Sequence, residues 1–161
     1  MRITTILSIL SLFCGRLNAT QAPDTLGDID LSVAKVPHGA DTSEVRRVLG
    51  PPLRIIRHDQ ANDDGVRLVE WVYRGLRFAF DPKGSIYEAT VTTRRYATAR
   101  NVTVGDSLAV VRRRYGQPAQ SGETVLLYPR SRDDFETLGI TFFFEKGILK
   151  RIILGEVISV E

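Results

Sequence analysis

Apolar residues stand at every second position in two segments of the chain. The two series are Leu76, Phe78 and Phe80, and Ile140, Phe142 and Phe144. Neighbouring side chains of a β-strand point to opposite faces, so the pattern predicts two strands that each bury one face in a core. Further strands are predicted near Leu68–Arg74, Ile86–Thr92, Thr124–Tyr128 and Ile148–Ile153.

Two other segments space their apolar residues three and four positions apart, which predicts short helices. Thr42, Val45 and Leu49 share one face of the first helix. Asp41 has the short polar side chain that caps a helix start, and Gly50 supplies the left-handed residue at its end. In the second helix, Leu108, Val111 and Tyr115 share one face. Asp106 or Ser107 is the candidate cap at its start, and Gly116 supplies the left-handed residue at its end.

The two helical segments belong to an internal repeat in which equivalent positions are 66 residues apart. The identical pairs are Val36/Val102, Gly39/Gly105, Val45/Val111, Arg46/Arg112, Arg47/Arg113, Gly50/Gly116 and Pro52/Pro118. We therefore predict an α+β fold of two tandem repeats, each a short helix followed by a three-stranded antiparallel meander. The two sheets would form a common or adjoining layer. The predicted organisation is a signal peptide (1–22), a connector with a short strand (23–35), repeat unit 1 (36–93), a linker (94–101) and repeat unit 2 (102–161).

Each unit contains a helix that ends in V-x-x-x-[L/Y]-G-x-P and a later F-x-F pair that precedes an acidic residue and a glycine. These motif residues are Val45, Leu49, Gly50, Pro52, Phe78, Phe80 and Gly84, and Val111, Tyr115, Gly116, Pro118, Phe142, Phe144 and Gly147. The pattern resembles the tandem units of the β-lactamase inhibitory protein superfamily. It is also similar to the single unit of the small SmpA/OmlA-type lipoproteins of the outer-membrane barrel assembly machine. The resemblance implies secreted or envelope proteins that bind other proteins through an exposed sheet.

The N-terminus has the pattern of a secretory signal. Arg2 supplies a basic start, and residues 3–13 are uncharged and mostly apolar. Thr20 and Ala22 place small residues at the two positions that a signal peptidase reads. The apolar stretch is shorter than the roughly 20 residues that span a bilayer. We expect a bacterial protein that is exported to the periplasm or beyond the cell; an uncleaved anchor and a buried N-terminal strand are the alternatives.

Cysteine and charge narrow the classes of partner. Cys14 is the only cysteine, and Phe13 stands where a lipidation motif normally has a small residue, so a membrane partner is expected only if Cys14 is lipidated. Without Arg2 and Arg16 the 22 basic residues fall to 20, against 19 acidic residues. A nearly neutral mature chain without a concentrated basic face is not typical of a nucleic-acid binder.

Candidate catalytic and metal-binding residues are few and scattered. His38 and His58 lie in a predicted turn and a loop, without the spacing of a shared metal site. The acidic pairs Asp63-Asp64 and Asp133-Asp134 fall in polar inserts at 58–65 and 129–137. No nucleophile elbow, phosphate-binding loop or dinucleotide motif is present. We predict no enzyme activity, catalytic residue, metal or cofactor; a small hydrolase that uses the inserts is the remote alternative.

The sequence thus predicts an exported, non-enzymatic protein-interaction module that binds a protein partner through the exposed face of its sheet. A structural cell-envelope or stress-related lipoprotein is the alternative. Phe143 lies between Phe142 and Phe144 and must point away from the core if they point into it. Alternation from the core residues places Arg77, Ala79, Tyr87, Thr141, Phe143 and Lys150 on the predicted binding face.

Overall fold

The computed structural model of this chain describes residues 26–58, 68–131 and 136–158. The predicted signal peptide, Cys14 and both acidic pairs of the inserts lie outside the described residues. Within them, a 3-10 helix at Asp28–Asp30 is followed by two α-helices and ten strands. The helices are α1 (Thr42–Leu49) and α2 (Leu108–Tyr115). The strands are β1 (Ser32–Val33), β2 (Val36–Pro37), β3 (Arg54–Arg57), β4 (Val69–Tyr73), β5 (Leu76–Phe80), β6 (Ile86–Val91), β7 (Gln120–Ser121), β8 (Val125–Pro129), β9 (Glu136–Glu145) and β10 (Ile148–Ile158).

Eight of these strands form one antiparallel sheet in the order β3-β4-β5-β6-β10-β9-β8-β7. The strands after α1 and those after α2 meet at its centre, where β6 pairs with β10 and Thr90 lies opposite Ile153. β1 and β2 form a separate two-stranded sheet where a single short strand was expected. No helix in the described part of the chain is long and apolar enough to cross a membrane.

The expected α+β fold of two helix-plus-three-strand repeats is wrong. The structure is mostly β, with 47% strand and 16% helical residues. Each helix is followed by four strands, and the additional strands β3 and β7 lie at the two edges of the sheet. These strands escape a search for alternation because Arg-Ile-Ile-Arg and Gln-Ser have no single apolar face.

The predicted helix ends are confirmed. Asp41 caps α1 by accepting a 2.9 Å hydrogen bond from the backbone N–H of Glu44, and Ser107 caps α2 through Val110. At the other ends, Gly50 has φ 77° and ψ −167°, and Gly116 has φ 80° and ψ −147°. Only glycine adopts this backbone region readily, so these residues end the helices for a steric reason.

α1 and α2 cover one face of the sheet, and the core lies between that face and the helices. The alternating series predicted as core is confirmed, since Phe78 and Phe142 are fully buried and Phe80 and Phe144 nearly so. Tyr115 of α2 packs its ring 5.0 Å from that of Phe142. Burial in the described residues is thus concentrated on the helix side of the sheet.

A largely buried ion pair links the N-terminal segment to this core. Arg100 donates from Nε and Nη2 to the two carboxylate oxygens of Asp30 at 2.7 and 2.6 Å. The same guanidinium lies 4.9 Å above the ring of Tyr115. The Arg100 hydrogen bond is the main cause that lowers the pKa of Asp30, against the opposing effect of burial.

Candidate functional site

The sheet face that points away from α1 and α2 is the candidate site, and we call it the open face. Strand register places one row of side chains across all eight strands of this face. In spatial order the row is Arg54, Val72, Arg77, Thr90, Ile153, Thr141, Leu127 and Gln120. Because side chains alternate between faces, this row lies opposite the buried aromatic residues.

Four of the six residues predicted for binding lie on the open face. Arg77 is exposed, while Thr141 and Phe143 are partly exposed. Ala79 points to the same face but retains only 7% of its exposure. The structure therefore brings these four residues onto one surface, with Arg77 and Thr141 in the same row.

The other two predicted residues, Tyr87 and Lys150, are the additional residues of two β-bulges. Ile86 and Glu88 are the partners of Phe80 and Ala79, which leaves Tyr87 between them without a register partner. Lys150 stands in the same way between Leu149 and Arg151. Beyond each bulge the alternation is shifted by one residue, so Thr90 and Ile153 occupy the open face instead.

The bulges leave a signal in the sequence that strict alternation overlooks. The buried apolar residues of β6 are Ile86, Ala89 and Val91, and those of β10 include Leu149, Ile152 and Leu154. In both strands the first two of these residues are three positions apart, and the second and third are two positions apart. That common irregularity predicts a bulge, and with it the binding-face residues that were missed: Thr90, Arg151 and Ile153.

Tyr87 nonetheless has a defined place beside the open face. Its hydroxyl donates to Glu156 at 3.0 Å, and its carbonyl accepts from Nε2 of His38 at the same distance. Burial lowers the pKa of His38, partly offset by that hydrogen bond. A neutral His38 with Nε2 committed to a backbone carbonyl has a structural role in holding the bulge.

Charged side chains occupy the open face on β3–β6, and we call Arg54, Glu70, Arg77 and Glu88 the charged half. Glu70 lies 3.2 Å from Nε2 of His58 and 3.4 Å from Nη1 of Arg77. Glu88 accepts a 2.9 Å hydrogen bond from the hydroxyl of Thr90. Glu70 thus lies within ion-pair distance of two side chains, while Glu88 accepts a hydrogen bond from a neutral hydroxyl.

Apolar side chains occupy the open face on β8–β10, and we call Val125, Leu127, Phe143 and Ile153 the apolar half. Register places Phe143 directly between Val125 and Arg151. The guanidinium of Arg151 lies 4.2 Å above the Phe143 ring, a cation–π contact at the rim of the half. Val125, Phe143 and Ile153 are partly exposed and Leu127 is buried.

On the helix side, a cavity of about 590 Å³ lies between β1, the end of α1 and the stretch 95–101. Val48, Leu49 and Tyr96 contribute to its apolar wall. Ala34 and Asn101 also line it and have φ of 54° and 56°, in the left-handed region that alanine rarely adopts and asparagine tolerates. A 2.9 Å hydrogen bond from Ala34 N–H to the Ala97 carbonyl holds these segments together.

The described residues contain no group of three His, Cys, Asp or Glu side chains that could hold a metal ion. His38 and His58 are engaged separately, with the Tyr87 carbonyl and with Glu70. No protein-family model, curated protein or solved structure matches the chain.

Proposed function

We propose that this chain is an exported, non-enzymatic protein-interaction module that binds a protein partner through the open face of its sheet. The observation that carries the proposal is the apolar half, in which Val125, Phe143 and Ile153 are partly exposed on three neighbouring strands. Apolar side chains that stay accessible on one surface commonly mark interaction sites. Export is supported by the Arg2-to-Ala22 signal pattern, which lies outside the described residues.

Phe143 is the proposed anchor of the interface. It is partly exposed at the centre of a row formed with Val125 and Arg151, and it belongs to a strand that α2 supports from behind through Phe142. Aromatic residues on a rigid support dominate the energy of many protein interfaces. The ring would be buried by an apolar side chain of the partner.

Arg151 gives the interface a preferred charge. Arg151 lies opposite Phe143 in the strand register, and its guanidinium stacks on the Phe143 ring. A partner that covers Phe143 would therefore also contact this guanidinium. In contrast, Glu70 on the other half already contacts His58 and Arg77, and Glu88 accepts a hydrogen bond from Thr90. The partner surface that fits has an apolar centre with a carboxylate placed to reach Arg151.

Site-specific photo-crosslinking in the exported full-length chain tests this proposal. A photoreactive phenylalanine analogue at Phe143 should form one defined adduct with a protein partner in the native envelope fraction. The same analogue at Ile29, an apolar residue that is 82% exposed in the 3-10 helix, is the matched control and should form none.

The yield of the adduct at Phe143 should also depend on the neighbouring Arg151 side chain. Arg151→Ala should reduce the adduct at Phe143, whereas Arg77→Ala on the charged half should not. Equal labelling from Phe143 and Ile29, or an adduct that is insensitive to Arg151, would contradict binding through the apolar half.

A further inference from the structure

The outer edge of β3 offers a second binding surface, separate from the open face. Among the described residues, β3 pairs only with β4 in the eight-stranded sheet. The His58 N–H donates to the Leu68 carbonyl, and antiparallel ladders alternate paired and unpaired positions. Arg54 and Ile56 therefore bond to β4, while Ile55 and Arg57 direct their backbone N–H and C=O groups away from the sheet.

Exposed apolar side chains accompany this edge. Leu53, directly before the strand, is 72% exposed, and Ile55 within the strand is 38% exposed. Ile55 lies opposite Trp71 of β4 in the register. An added strand would bury the Ile55 side chain beside Trp71.

Unpaired cations surround the same edge. Arg54 and Arg57 are exposed on β3, and Arg46 of α1 lies 5.4 Å above the ring of Trp71. Among the described residues none of these three arginines forms an ion pair with an Asp or Glu. This differs from Arg47 of the same helix, which pairs with Glu44 at 3.2 Å.

We propose that β3 docks an extended peptide segment of a partner protein by strand addition, and that the segment carries acidic–apolar–apolar–acidic side chains. Residues placed opposite Arg54 and Arg57 would be acidic, and those opposite Ile55 and Ile56 apolar. Main-chain hydrogen bonds to the free edge give affinity in this mode of recognition, and the flanking side chains give specificity. The proposal is independent of partner binding at the open face.

A second copy of the chain is the competing occupant, and charge disfavours it. Pairing two β3 strands would bring four guanidinium groups to one junction to which β3 contributes no carboxylate. Like charges at neighbouring cross-strand positions destabilise a sheet. The arginines thus protect the edge from self-association while they favour an acidic segment.

Fluorescence anisotropy with two labelled hexapeptides tests the proposal on the full chain. The first probe is acetylated Thr-Glu-Val-Val-Glu-Thr, and the second has lysine in place of both glutamates. The first should bind and the second should not. The double variant R54E/R57E should weaken the first complex by on the order of tenfold or more and should gain binding of the second, because both cross-strand charge pairs are reversed.

Two further variants separate strand addition from simple charge attraction. Ile55→Pro removes only an outward N–H, so the sheet should stay intact while peptide binding is lost. Phe143→Ala should leave peptide binding unchanged even if it abolishes partner binding at the open face. Circular dichroism of each variant verifies that it is folded.

Four outcomes would overturn the proposal. They are failure of the glutamate peptide to bind, equal binding of both peptides, unchanged binding by Ile55→Pro, and a concentration-dependent dimer that R54E/R57E alters. The last would assign the edge to a second copy of the chain.

Discussion

The sheet has two halves that use the same contacts on the helix side. Tyr73 in the first half donates its hydroxyl to the Gly50 carbonyl at 3.1 Å, and Tyr128 in the second half donates to the Gly116 carbonyl at 3.0 Å. Each glycine donates its own N–H to the helix residue four positions earlier, at 2.9 and 2.8 Å. Both halves thus anchor their helix end to the sheet through the same pair of groups.

The open face of the same two halves differs. On the charged half, Glu70 contacts His58 and Arg77, and Glu88 accepts a hydrogen bond from Thr90. On the apolar half, Phe143 and Ile153 remain partly exposed to water, which leaves free energy to be gained by covering them. The two halves thus share their contacts on the helix side and differ on the open face. This indicates that the helix side maintains the fold and that the apolar half is available for binding.

The largest expected effect separates the two faces of β9. Phe142→Ala should lower the free energy of unfolding by about 3–5 kcal/mol, because the buried ring contacts Tyr115 and Tyr128 and would leave a cavity. Phe143→Ala should cost about 1 kcal/mol, mainly from the contact with Arg151. Urea unfolding of both variants measures the difference; equal losses would mean that the open face is as packed as the core.

Residues of β9 and α1 show how far the sequence predicts this structure. Alternation alone identified Phe142 as buried, and short-range chemistry identified Asp41 and Gly50 as helix ends, because these features depend on neighbours only a few residues away. The β6–β10 pairing could not be predicted in this way, since it joins residues more than 60 positions apart. Periodicity along one chain carries no information on which strands become neighbours.

The candidate site was predicted in part for the same reason. Arg77, Ala79, Thr141 and Phe143 follow regular alternation and lie on the open face, whereas Tyr87 and Lys150 fall on bulges. A bulge reflects a local excess of one residue between two paired strands, so it becomes certain only when the strand partner is known. Whether these residues bind a partner stays a prediction.

Substitution of Asp30 tests how much the Asp30–Arg100 pair stabilises the helix side of the sheet. Asp30→Ala should lower the free energy of unfolding by about 3 kcal/mol near neutral pH, because it leaves the Arg100 guanidinium buried without its carboxylate. Asp28→Ala is the matched control from the same 3-10 helix. Its ion pair with Arg130 is exposed and should contribute little.

This effect should depend on pH in a defined direction. The pKa of Asp30 is lower in the folded protein than its ordinary value of 3.8, so the stability it contributes is complete above about that pH. As the pH falls through the lowered pKa, that contribution disappears and wild type and Asp30→Ala should converge. A constant difference between pH 7 and pH 2 would contradict an ionic origin.

The matched helix ends provide a further expected change in stability, smaller than that of Phe142→Ala. Gly50→Val and Gly116→Val should each cost about 1–3 kcal/mol, because both positions have a backbone conformation that glycine alone adopts readily. Gly122→Val is the control, since Gly122 does not have a left-handed φ. Thermal unfolding should show similar losses for the two helix ends; a variant that melts like wild type would exclude the steric role at that position.

The most direct test of the account compares partner affinity between the two halves of the open face. With the partner captured at Phe143, isothermal titration calorimetry should give a Kd at least about tenfold higher for Phe143→Ala, the effect of losing an interface anchor. Arg77→Ala, an exposed substitution on the charged half, should stay within about twofold of wild type. If Arg77→Ala weakens binding as much as Phe143→Ala, or if Phe143→Ala binds as wild type does, then the apolar half is not the interface.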